Sequence, residues 1–232
     1  MNAKIVTKEV SGIASALIDM RKPMYSKNDS EFGKNPDGTI YLEQIGEDDK
    51  RLAKQLANCK GGSGHDSFLK DIVVHMDITA TADFILQLYR YHFRDTSSSE
   101  SKMHCIIKQG DIGDRCSEWV SDATKEVVNN LIEFYNLWCE EGLTAYTEGL
   151  LIGLSEYWGL APYPTTKEEL FECIVHNTPL GYMLTFGEVT NYLQLKAQYR
   201  QRKNHKMPMW NTVFKEWVEG LPMSYLITGM ED

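Results

Sequence analysis

Between Asp71 and Thr79 the chain alternates. Ile72, Val74, Met76 and Ile78 fall on one side and Val73, His75 and Asp77 on the other, the period-two pattern of a strand with one polar face. From Thr79 to Phe93 the period becomes that of a helix, with Ile85, Leu88, Tyr89 and His92 on one face. The opposite face carries Asp83, Gln87, Arg90 and Arg94, at intervals of four, three and four residues. Ser97-Ser98-Ser99-Glu100-Ser101-Lys102 then reads as a loop. A chain that passes from one period to the other within twenty-odd residues is of mixed class. The stripe holds one carboxylate, one amide and two guanidinium groups, followed by serines, so it suits an anionic, hydrogen-bonding ligand. A solvated helix face followed by a serine loop has the same pattern.

Upstream, Lys4 to Val10 reads as a short strand and Gly12 to Met20 as a helix. Ser26 to Thr39, rich in Asn, Ser, Gly, Pro and Asp, is expected as a loop that could cover a site. Leu52 and Leu56 place a helix over Asp48 to Cys59, and Gly61-Gly62-Ser63-Gly64 stops it. Gln109 to Arg115 is another Gly- and Asp-bearing connection. Ser121-Asp122 caps a long amphipathic helix to Gly142, with Val127, Leu131, Phe134, Tyr135 and Trp138 at helical spacing. A second helix spans Thr144 to Trp158, Pro162 to Pro164 break it, and Thr165-Thr166-Lys167-Glu168 opens a third. Phe186 to Tyr199 and Met209 to Glu219 read as two more helices around a basic connection. No repeat is evident and no linker separates two cores, so residues 1–232 are expected to form one α+β domain.

Length and composition bound the function. A chain of 232 residues, 42% hydrophobic, is long enough for one sizeable core. Its formal net charge of -9 lacks the basic footprint that drives non-specific nucleic-acid binding. No run approaches the roughly 18 apolar residues of a membrane span, and MNAKIVTKEVSG lacks a signal-peptide core, so a cytoplasmic location without membrane or nucleic-acid partners is expected. Cys59, Cys105, Cys116, Cys139 and Cys173 are widely spaced with no Cys-x-x-Cys pair, as expected of reduced thiols. His75 and His104 show no metal-ligand spacing, and no metal is expected. No Gly-x-Gly-x-x-Gly motif is present, so a dinucleotide would be held by a fold other than the Rossmann type. Lys196, Arg200, Arg202, Lys203, His205 and Lys206 form the densest positive cluster, open to a phosphate-rich cofactor or to solvent alone.

Several segments together resemble the flavin-dependent thymidylate synthases. Gly64-His65-Asp66-Ser67 is similar to that family's Gly-His turn before a strand. Gln87-Leu88-Tyr89-Arg90-Tyr91-His92 is similar to its Gln, two residues, then Arg-His-Arg; the serine-rich run then stands where the family has a loop ending in Ser-x-Arg. Tyr192-Leu193-Gln194-Leu195-Lys196 stands where the family has Phe-Leu-Asn-Leu-Arg, and Pro208-Met209-Trp210 resembles its Ala-Gln-Trp. The similarity runs from about Ile5 to about Glu219. The chain departs from the pattern at Tyr91 and His92 and at Lys196. The family's phosphate-holding arginine has no arginine counterpart, His176 and Thr178 being the nearest candidates.

The resemblance implies a small mixed or antiparallel sheet flanked by long helices. It implies methylation of dUMP to dTMP, with FAD as cofactor, NADPH and methylenetetrahydrofolate as co-substrates, and a homotetrameric assembly. Gln87 and Arg90 would orient the pyrimidine as catalytic residues, and Ser99, Glu100, Ser101 and Lys102 would complete the nucleotide site with them. His65, Ser67, Tyr91, His92, Gln194 and Lys196 would contact the flavin cofactor. The departures leave two other readings: a divergent member with FAD that acts on another pyrimidine nucleotide, and a non-catalytic nucleotide-binding or oligomeric scaffold.

Overall fold

The computed structural model describes residues 3–26, 30, 32–34, 40–59, 63–159 and 163–229. Strand β1 (Lys4–Ser11) leads through Gly12 to helix α1 (Ile13–Asp19). A hairpin of β2 (Phe32–Lys34) and β3 (Ile40–Ile45) follows, then α2 (Glu47–Ala57). Next come β4 (Val73–Thr81), α3 (Ala82–Leu88), β5 (Asp95–Ser99) and the single turn α4 (Lys102–Cys105). Helices α5 (Asp122–Glu141), α6 (Ala145–Trp158) and α7 (Lys167–Asn177) precede the last strand, β6 (Met183–Asn191). Helix α8 (Tyr192–Arg202), a π-helical turn (Met209–Phe214), α9 (Lys215–Glu219) and α10 (Tyr225–Thr228) complete the order.

The main sheet has the order β1-β4-β6-β5 and is antiparallel. As numbers rise along β4 they fall along β6: the Tyr192 N–H donates to the Ile72 carbonyl at 3.0 Å, and the Thr79 and Thr185 hydroxyls meet at 2.9 Å. The expectation of a small sheet with long helices is met.

The chain packs as two compact units. The first contains Thr79–Leu86 and Ser99–Thr185, and its core joins Leu131, Phe134 and Trp138 of α5 with Leu151 of α6 and Leu170 and Ile174 of α7. Its helices start where their caps are strongest. The Ser121 hydroxyl accepts from the Thr124 N–H at 3.2 Å, and capping boxes at Thr144 and Thr166 open α6 and α7. The second unit contains Lys4–Ile78, Gln87–Ser98 and Phe186–Asp232, with Leu17, Leu69, Ile72, Tyr192, Tyr199 and Trp210 fully or almost fully buried.

Three expectations are corrected. The strand read as Asp71 to Thr79 runs on to Thr81, and the helix expected to Phe93 is the seven-residue α3. Ala80 extends the buried alternation of Val74, Met76 and Ile78, and Thr79 spends its hydroxyl across the sheet. Asp83, Gln87, Arg90 and Arg94 therefore share no helical face: Arg90 lies in a turn, and Phe93 takes a positive φ of 59° before β5. The serine run is not a loop throughout, because Ser97, Ser98 and Ser99, all exposed, belong to the edge strand β5. The helix read over Phe186 to Tyr199 is β6 followed by α8. Here Phe186, Gly187 and Glu188 are buried in succession, which hides the strand period. Smaller differences fall at Ser26 to Thr39, which includes β2; residues 27–29, 31 and 35–39, like 60–62 and 160–162, lie outside the described residues.

Candidate functional site

In the second unit a cavity of about 530 Å³ opens where three segments converge. The end of α1 and the turn after it contribute Met20 and Lys22, α2 contributes Leu52 and Leu56, and the turn before β4 contributes His65 and Ser67. That turn exists because Gly64 accepts a φ of +77°, after which the Ser67 N–H closes on the Gly64 carbonyl at 3.1 Å. Its floor is apolar, with Met20 and Phe68 each at least nine-tenths buried. Its rim is polar, with His65 and Ser67 exposed. Arg21, also on the wall, donates from Nε to the fully buried Asp49 at 2.7 Å, which fixes α1 against α2. An apolar floor with a few convergent polar groups is the usual make-up of a small-molecule site.

Behind this cavity lies Lys196, 2% exposed. Its Nζ donates both to Asp66 Oδ2 and to the Ala57 carbonyl, each at 2.5 Å. Five residues earlier in sequence, the Asn191 side chain caps α8 by accepting from the Gln194 N–H at 2.9 Å. The Gln194 side chain is half-buried.

A second cluster of the same unit gathers around Trp210, which is fully buried. Its indole N–H donates to Gln87 Oε1 at 3.0 Å, while among the described residues Gln87 Nε2 faces the Met207 sulfur at 3.9 Å, a weak acceptor. Tyr91 packs edge-on against Trp210 with ring centroids 6.1 Å apart. Its hydroxyl donates to Gln201 Oε1 at 3.0 Å and accepts from Arg202 Nε at 2.7 Å. The Arg202 guanidinium also stands 5.0 Å from the Trp210 ring centroid, so this member of the basic cluster is spent on aromatic faces. Arg90 and His92 are exposed and make no side-chain hydrogen bond or ion pair among the described residues.

Arg94 has left the expected stripe for the interior. Its Nε donates to Glu188 Oε1 at 2.5 Å and its Nη1 to Gln198 Oε1 at 2.7 Å, with both ion-pair partners almost wholly buried. Burial pulls the Arg94 guanidinium below its ordinary value, and the Glu188 carboxylate opposes that shift.

The remaining expected residues lie in the first unit. Ser99 is exposed and Ser101 half-buried before α4. Lys102 donates to the Val175 carbonyl at 3.0 Å, and burial lowers its ammonium pKa. Glu100 accepts two hydrogen bonds from the Arg115 fork, at 2.6 and 3.1 Å, and one from the Thr185 N–H at 2.8 Å. Chiefly through Arg115, its carboxyl is held below the usual range. A group whose folded pKa is depressed contributes stability above its unfolded value of about 4.3, and that contribution is lost as pH falls through the lower folded value. Glu100→Gln should therefore lower the urea midpoint at pH 7 and lose that deficit on acidification below about pH 4. An equal deficit at both pH values would contradict the assignment.

Sequence reasoning missed Arg115, Arg21 with Asp49, and Glu188. Arg21 and Asp49 stand 28 positions apart, and Glu100 and Arg115 stand 15 apart, so no helical or strand spacing links either pair. Among the described residues no group of three or more His, Cys, Asp or Glu could hold a metal ion, all five cysteines are free, and no helix is long and apolar enough to cross a membrane.

No family model and no curated protein matches the sequence. The fold does match solved structures. One is the flavin-dependent thymidylate synthase ThyX from Helicobacter pylori complexed with FAD and dUMP, with a TM-score of 0.62 at 14% identity over 97% of both chains. Another structure of Helicobacter pylori thymidylate synthase X with FAD and dUMP gives a TM-score of 0.61 at 12% identity, over 98% of this chain and 97% of that one. The chain shares the fold of these enzymes over 97–98% of its length.

Proposed function

We propose that this chain, built on the fold of flavin-dependent thymidylate synthases, methylates dUMP to dTMP, with FAD as its cofactor. The reading rests on one observation above the others. The turn Gly64-His65-Asp66-Ser67, which resembles the family's flavin-contacting turn, lines a cavity of about 530 Å³ in a chain of that fold. The reading carries with it methylenetetrahydrofolate and NADPH as co-substrates, a homotetramer, a cytoplasmic location, and residues 1–232 working as one domain.

The residues present fit a flavin. The volume lies in the range of roughly 300–1,000 Å³ usual for ligand sites, and the apolar lining of Met20, Leu52, Leu56 and Phe68 suits a flat ring. His65 and Ser67 at the rim can hydrogen-bond ring heteroatoms. Bound there, the flavin would supply hydride transfer. The chain's own residues would bind and orient. Gln87 keeps an amide nitrogen that a weakly accepting thioether faces among the described residues, enough to donate to a pyrimidine carbonyl while Trp210 holds its oxygen in place. Arg90, exposed and unpaired among the described residues, can grip a phosphate or carbonyl bidentately. Tyr91 would act through position, since its hydroxyl is already committed to Gln201 and Arg202.

A second reading keeps FAD and changes the nucleotide. It is favoured by Glu100, which places a carboxylate clamped by Arg115 where the family has a serine-bearing loop. A carboxylate there accepts hydrogen bonds from ring N–H or sugar hydroxyls and repels phosphate. The discriminating experiment begins with the purified chain and added FAD. Retention of flavin colour through gel filtration is expected, and a colourless protein that takes up no FAD would favour the non-catalytic scaffold instead.

A further inference from the structure

The geometry points to Lys196 as a positioning residue that fixes the spacing between two walls of the cavity without touching what binds there. The inference rests on the reading of the cavity as a ligand site. One wall is the last turns of α2, carrying Leu52 and Leu56, and the other is the turn carrying His65 and Ser67. In sequence the two are joined through Gly61-Gly62-Ser63-Gly64, and glycine brings no side chain with which to restrain its neighbours. Lys196 supplies the restraint from a third element. Its ammonium holds the carbonyl of Ala57, the last residue of α2, where helix carbonyls lack intrahelical partners, and the carboxylate of Asp66, between His65 and Ser67.

The resemblance places Lys196 among flavin-contacting residues, but its position argues against direct contact. Its side chain is 3% exposed, and Lys196 does not line the cavity. Both donors that the structure records are directed at the backs of the two walls. A lysine suits this role, since a point charge with three donors on a flexible stem can serve two acceptors in different directions. Arg21 and Asp49 fix the remaining side, α1 against α2, by a second buried ion pair. The cavity is therefore held at its corners by two ion pairs whose members are mostly buried, a device that sets geometry more than it adds net stability.

Lys196→Met alone would leave Asp66 unpaired and confound positioning with folding, so the test uses Lys196→Met combined with Asp66→Asn. Hydrogen exchange followed by mass spectrometry on the ligand-free full-length chain is the primary readout. The inference predicts exchange at least about tenfold faster in peptides covering 63–68, with the peptides of α5 and β6 unchanged. FAD titration is the second readout, with affinity expected to fall at least about tenfold. Unchanged exchange at 63–68 would overturn the inference whether or not FAD binds. Uniformly faster exchange across the chain would overturn it too, because Lys196 would then be a general stabiliser. Local loosening in a chain that takes up no FAD even as wild type would uphold the positioning role and remove the flavin reading.

Discussion

Arg94→Met should cost about 3–5 kcal/mol of stability, the usual penalty for removing one member of a buried ion pair. The guanidinium is the ion-pair partner of Glu188 among the described residues, and their side chains are 4% and 1% exposed. Without it Glu188 keeps, among the described residues, the Thr96 hydroxyl at 3.3 Å. Gln198, whose Nε2 has no hydrogen-bond partner among the described residues, loses the donor on its oxygen as well. Arg94→Lys should recover part of the loss, since its ammonium keeps a positive charge beside Glu188 but lacks the planar fork whose Nε and Nη1 reach Glu188 and Gln198 together. Adding Glu188→Leu to Arg94→Met should recover a large part of the loss, because the stranded carboxylate dominates the cost. Urea unfolding of the three variants checks the series. A loss below about 1 kcal/mol for Arg94→Met would mean that water reaches the pair.

Gly12→Ala should be of comparable severity for a different reason. Gly12 stands between β1 and α1 with a φ of +83°, and a Cβ there would lie 1.9 Å from the Asp71 carbonyl oxygen and 3.0 Å from its carbon. The obstacle is backbone at the threshold of β4, so no side-chain rotation relieves it. The first strand must separate from the sheet or the residues before β4 must shift, a loss on the order of 3 kcal/mol or more. Gly64→Ala is the internal control. Its φ of +77° is nearly the same, yet among the described residues nothing lies within 4 Å of the added carbon, so the left-handed penalty of about 1 kcal/mol is expected. Thermal unfolding of both variants separates strain from collision, and equal losses would contradict the account.

The helices of the first unit were legible because their ends are written in local chemistry. Ser121, Thr144 and Thr166 each accept from a backbone N–H three residues on, and the glycines at 142 and 159 take positive φ where α5 and α6 stop. Strand β4 was legible because one face is buried and the other is not. Strand β6 was concealed by Glu188, a charged residue that local patterning assigns to solvent and that an ion pair with Arg94, 94 positions away, accommodates inside. The serines of β5 signal a loop by propensity, but on a sheet edge exposed serines are permitted. His65 and Ser67 could be found from a turn motif. The opposite wall with Leu52, Leu56 and Arg21 could not, because it forms only when α1 and α2 pack together.

The most direct measurement of the proposed function is dTMP formation from dUMP by the FAD-loaded chain with methylenetetrahydrofolate and NADPH, compared with Arg90→Ala prepared in parallel. Dependence of the product on both FAD and methylenetetrahydrofolate is expected, with a loss of at least about a hundredfold in kcat/KM for the variant, whose flavin content and melting temperature should match the parent. A flavin-loaded parent that forms no dTMP, or a variant that turns over as fast as the parent, would contradict the account.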